Sequence, residues 1–140
     1  MKRINLALFL PCVLLSFPVI AQQTSIVPQT QGQVVYVSGG VGGEEREAMK
    51  AMRADYNLSL LFTVKGSGEY ISDAKVCIKD AHGAVRLETV VDGPMLYAKL
   101  KPGRYSIFAD RDGHVMDNKV TLTGKKLTTL AFAWPAEAGD

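Results

Sequence analysis

The chain has 140 residues, with sixteen Lys and Arg against fourteen Asp and Glu. That length accommodates one domain around one core and excludes a multidomain enzyme. A formal charge of +2, with no basic cluster along the chain, lacks the electrostatic footprint of a nucleic-acid binder.

The first residues read as an export leader. Lys2 and Arg3 form a positive head, and "LALFLPCVLLSFPVI" is an apolar stretch interrupted by Pro11 and Pro18. Val19-Ile20-Ala21 supplies a signal-peptidase site, so cleavage is expected after Ala21 and residues 1–21 form a Sec-type signal peptide. The apolar stretch is too short and too proline-broken to span a bilayer, and no transmembrane anchor follows it. Cys12 is preceded by Phe9-Leu10-Pro11, with most of the apolar stretch after it, which is not a lipoprotein pattern. Loss of Lys2 and Arg3 reduces sixteen basic residues to fourteen, against fourteen acidic, so the mature chain is near neutral. Cys77 is then its sole cysteine, and an internal disulfide is excluded. The expected location is the periplasm or the external medium.

Gln22–Gln33 is polar and is expected to be a flexible lead-in. Residues 34–56 form a second unit. Val34–Val37 reads as a short strand or extended arm, followed by a glycine loop, "SGGVGG". From Glu44 onward Ala48, Met49, Met52 and Tyr56 recur at helical spacing, which predicts a helix of about three turns. Glu44, Glu45 and Glu47 sit near its positive end, where the dipole favours carboxylates.

The period then changes to two, and residues 57–135 read as one β-sandwich, with 136–140 as a tail. Leu58, Leu60, Phe62 and Val64 share one face. Further alternating runs lie in "AKVCIKD", "AVRLETVVDG", "PMLYAKLKPG", "RYSIFADRDG", "VMDNKVTLTG" and "KLTTLAFAW". About seven short strands with regularly spaced turn residues predict a mainly β, Ig-like sandwich carrying one N-terminal helix.

Four features invite a functional reading. The strand, glycine loop and helix order suggests a phosphate cradle, but the third glycine of a dinucleotide fingerprint is Glu45, and a P-loop would need Gly-Lys-Ser/Thr where Glu44-Glu45 stands. Carboxylates at the helix N-terminus repel phosphate, so no nucleotide is expected. His82 and His114 each lie beside aspartates in predicted turns; with Asp80 and Asp112 they would ligate a metal only if the two turns met at one end of the sandwich. The spacing fits no compact metal motif, and neither metal nor cofactor is expected. Cys77 alternates with Lys75 and Lys79 on one face. If that face is wet, the thiol is exposed and the two ammonium groups lower its pKa. The favoured expectation is that a second layer, such as the N-terminal helix, covers it. Among the aromatics, Trp134 at the end of the last strand and Tyr97 are the candidate ligand contacts, with Trp134 expected to be partly exposed.

Two stretches carry a resemblance. "Asp-Ala-x-Val-x-Ile-x-Asp-x-x-Gly" over residues 73–83, followed by "Leu-x-Pro-Gly-x-Tyr-x-Ile" over 100–107, resembles the carboxypeptidase regulatory-like domain family. The resemblance implies a transthyretin-like sandwich in which Pro102-Gly103 closes a turn and Tyr105 seals the end of the core. The opening "YVSGGVG" with the helix after it is similar to small single-domain exported bacterial proteins of this fold. The family's domain holds no catalytic residues, so none is carried over. The expectation is a monomeric, non-catalytic binding or accessory module that recognises a cell-envelope protein or a glycan. The alternative is an assembly factor whose Val34–Val37 arm adds a strand to a partner's sheet. A hydrolytic enzyme is the poorest alternative, because no nucleophile motif is present.

Overall fold

The computed structural model describes residues 26–136. The leader at 1–21 with Cys12, the first lead-in residues and positions 137–140 of the tail lie outside the described residues. Nine strands and one helix follow in order: β1 (Gln29–Gln31), β2 (Val34–Gly39), α1 (Gly43–Met52), β3 (Leu58–Val64), β4 (Lys75–Asp80), β5 (Val85–Val90), β6 (Met95–Lys99), β7 (Gly103–Arg111), β8 (His114–Leu122) and β9 (Thr128–Trp134). A single 3₁₀ turn, Arg53–Asp55, extends α1. The strands form two sheets, ordered β1-β2-β6-β3-β9 and β5-β4-β7-β8. All neighbours are antiparallel except β3 and β9.

The mainly β sandwich with one helix is as expected, but nine strands replace the expected seven. The seven read from alternation are β3 to β9. The other two come from segments read as lead-in and arm. Gln29–Gln31 pairs with Val34–Tyr36 in a hairpin, and as a polar edge strand it has no buried face to produce alternation. Its side chains hold it instead: the Tyr36 hydroxyl donates to Gln29 Oε1 at 3.0 Å. The Gln31 amide receives the Glu88 N–H at 2.7 Å and donates to the Glu88 carbonyl at 3.1 Å, bridging β1 to β5 of the other sheet. Val34–Val37 is not a free arm. It lies between β1 and β6, with Val34 and Tyr36 facing the core and Val37 buried on the opposite face.

Alternation places Leu58, Leu60 and Phe62 against Val76, Ile78, Ile107 and Ala109 of the opposing sheet. Burial of such aliphatic side chains is the main stabilising term, about 1.5–3 kcal/mol each. Parallel register sets Phe62 beside Phe132, rings 5.9 Å apart, with Trp134 at 6.0 Å from Phe62. Trp134 is therefore a core residue, 2% exposed, whose indole N–H donates to the His114 carbonyl at 2.9 Å. The expected exposure does not occur, because the parallel pairing with β3 turns the end of β9 inward and packs the indole against Phe62 and Phe132.

The helix covers the outer face of the five-stranded sheet. Met49 is fully buried there with Val37, Tyr56 and Tyr97. Tyr97, the other candidate contact, is 3% exposed beneath this layer, its ring tilted against Tyr56 with centroids 5.9 Å apart. In the glycine loop the Gly40 N–H donates to Glu45 Oε1 at 3.0 Å. The donor that a phosphate would use is thus taken by the helix's own carboxylate.

Candidate functional site

Strand register brings three separate segments to one end of the five-stranded sheet. Leu58 pairs with Ala98 on one side and Thr128 on the other. Residues just before Leu58, just after Ala98 and just before Thr128 therefore emerge together. Asn57 ties them down. It is buried, and its side-chain N–H donates to the Leu100 carbonyl at 2.7 Å while Oδ1 accepts the Leu100 N–H at 2.9 Å. Its backbone carbonyl receives the Thr128 N–H at 2.9 Å, and its N–H donates to Ala98 at 3.3 Å. The Tyr105 hydroxyl donates to the Lys101 carbonyl at 2.6 Å, fixing the turn before Pro102.

These segments and the carboxyl end of the helix enclose an open cleft of about 1250 Å³. Lys50, Arg53, Lys99, Lys101, Lys125 and Lys126 line it, against one carboxylate, Asp55. Lys50 makes an exposed pair with Glu47 at 3.5 Å; the other five cations form no ion pair among the described residues. The floor is Val35, Tyr56, Leu100 and Leu127. Burial pushes the Tyr56 phenol above its ordinary pKa, with Asp55 adding to the effect, so it stays neutral. The cations also face the helix's carbonyl end, which favours positive charge. Chemically the cleft can hold negative charge in quantity.

The sequence reading found no basic cluster, and the fold creates one. The six cations are spread over residues 50–126, so no local window contains them. The available signal was positional: Lys99 and Lys101 bracket one strand end, and Lys125-Lys126 precedes another. Asn57 was missed as well, although an amide directly before an alternating apolar run marks where a strand begins.

The residues singled out from sequence do not meet at this site. Cys77 is half-buried on the outer face of the four-stranded sheet, flanked along the strand by Lys75 and Lys79. The helix does not cover it, because α1 packs on the other sheet. Nor is its thiol acidified. Burial pushes its pKa up, the Glu88 carboxylate opposite adds to this, and Lys79 only partly opposes them. Lys79 lies 5.4 Å over the Phe108 ring. Cys77, Phe108, Val90 and Val115 line a shallow groove of about 540 Å³ on this face.

The two histidine turns are at opposite ends of the four-stranded sheet. Asp80, just before His82, pairs with Tyr105, while His114 pairs with Arg111. The six-residue offset along β7 separates them by roughly 20 Å, so no shared metal site forms. Asp80 instead organises its turn, accepting the His82 and Ala84 N–H groups at 2.9 and 3.0 Å and the Arg86 guanidinium at 2.8 Å. Desolvation raises the Asp80 pKa, but these bonds outweigh it and hold the carboxyl below its usual range. Among the described residues no group of three His, Cys, Asp or Glu side chains is placed to hold a metal ion, and no helix is long and apolar enough to cross a membrane. Neither the family models nor the curated proteins gave a match to this chain.

Proposed function

We propose that this protein is an exported, non-catalytic binding module that holds an anionic ligand in the cationic cleft at the carboxyl end of α1. The observation carrying the reading is the convergence of six cations on a buried amide scaffold, five of them without a carboxylate partner among the described residues. Exposed surface charges normally sit among opposite charges, and a one-sided cluster is a standing potential of the kind that collects counter-ions and ligands. The export leader supports an extracytoplasmic ligand. The sandwich is of the transthyretin-like type that the sequence resembles, and the Tyr105–Lys101 bond beside Pro102-Gly103 supports that assignment. The alternative of strand addition through Val34–Val37 is not carried forward, since both edges of that strand are already paired.

A membrane-impermeant lysine-acetylating reagent tests the reading, applied to intact cells and to the purified protein. In cells, Lys75 and Lys79 should react while Lys99, Lys101, Lys125 and Lys126 are protected relative to the purified chain. Equal reactivity of all lysines in both settings would overturn the cleft as the binding surface. Absence of any modification both in cells and in the surrounding medium would overturn export.

A further inference from the structure

Resting on that reading, we infer that the ligand is an acidic polysaccharide, held by charge along its length rather than by stacking or insertion. Size is the first reason. Ligand pockets for compact molecules are typically about 300–1,000 Å³, and this cleft is larger, open, and edged by cations from three chain segments. A single small anion would leave most of them unengaged, whereas a chain with a charge on every unit passes several.

The kind of cation is the second reason. Five of the six are lysines, which are point charges on flexible stems. Arginine forks, by contrast, match one carboxylate or phosphate in a fixed bidentate geometry. A lysine-lined trough suits repeated carboxylate or sulfate groups whose spacing varies from unit to unit. The exposed amide of Gln33 and the half-buried side chains of Val35 and Leu127 present both hydroxyl-bonding and non-polar surface, as a sugar ring does in return.

The remaining polyanions fit less well. Single-stranded nucleic acid is gripped by aromatic rings on which bases stack, and the cleft's only aromatic, Tyr56, is 8% exposed and already paired with Tyr97. An anionic bilayer is gripped by a basic surface with protruding apolar anchors. The large exposed hydrophobics among the described residues are Val27, Val41, Tyr70, Val85, Val90 and Val115, and none of them lines the cleft.

The test uses the purified full-length mature chain with five probes: polygalacturonate, dextran sulfate, neutral dextran, a thirty-nucleotide oligo-dT, and vesicles of equal phosphatidylglycerol and phosphatidylcholine. Two triple variants are compared, Lys99→Gln/Lys101→Gln/Lys125→Gln in the cleft and Lys75→Gln/Lys79→Gln/Lys119→Gln on the four-stranded sheet, with melting curves confirming that each folds. Polygalacturonate and dextran sulfate should bind, neutral dextran should not, and affinity should fall about tenfold or more between 50 and 200 mM salt. The cleft variant should lose a similar factor, and the sheet variant should bind as the parent does. Tighter binding of oligo-dT or vesicles, abolished by the cleft variant, would overturn the polysaccharide and leave the cleft standing. Failure of every probe to bind, or equal loss in both variants, would overturn the cleft itself.

Discussion

Asn57 is one side chain on which three elements depend. Its amide replaces a missing rung of ladder between β3 and the chain just beyond β6. Replacing it with alanine strands the N–H and carbonyl of Leu100 in a buried site, and each orphaned group costs about 1–3 kcal/mol. Asn57→Ala is therefore expected to lower stability by about 3 kcal/mol in urea unfolding, with anion affinity falling because Lys99, Lys101 and Lys125 lose their common anchor. A change under about 0.5 kcal/mol would mean that solvent replaces the amide and that the scaffold role is wrong. Asp80 organises a turn by the same local logic. Its depressed pKa means that its contribution is present above the aspartate's unfolded value and is lost as pH falls through the lower folded value.

At the scale of elements, β2 and α1 were the least legible parts of the chain. Val34–Val37 is apolar throughout, and continuous apolar runs do not distinguish a free arm from a strand buried on both faces. The fold resolves this by laying α1 across the outer face, so that Val37 is as dry as Tyr36 on the inner one. The consequence is measurable. Deleting residues 22–37 from the mature chain removes Val34, Tyr36 and Val37 from the two cores, a loss of about 5 kcal/mol. The melting temperature should fall by more than about 10 °C. Unchanged melting after that deletion would restore the segment as a detachable arm. The paired alternation was readable where a strand has one core face, as in β4, β5 and β7, and period two is the direct imprint of that asymmetry; β3 and β6 are also covered on their second face.

At the scale of the whole molecule, two layers share the same strands. In β6, Leu96 and Ala98 face the sandwich core while Tyr97 faces the helix, so neither layer can open without exposing the back of the other. Trp134, the only tryptophan, reports the sandwich, and helical circular dichroism reports α1. Their denaturant midpoints should coincide as in a two-state domain; an earlier loss of helix would show that α1 is an independently detachable lid. Charge is also distributed at this scale. The cleft's cations gather where β3 begins, while Glu44, Glu45, Asp92 and Asp112 belong to the opposite end, near the glycine loop and the β7–β8 turn. A chain of near-zero net charge thus presents one positive end, partly balanced at the other by Lys65 and Arg111, and that field favours approach of an anion to the cleft.

By itself the sequence determined the β-rich architecture and the single helix with its acidic start. Each of these follows from residues within a few positions of one another, where periodicity, turn chemistry and local charge act directly. Tertiary structure alone decided that Trp134 and Tyr97 are buried, that the helix lies on the sheet away from Cys77, that the histidine turns face apart, and that lysines far apart in the chain share a cleft. Those outcomes depend on strand order and register, which arise from the joint burial of many side chains and leave no mark in any one stretch of sequence.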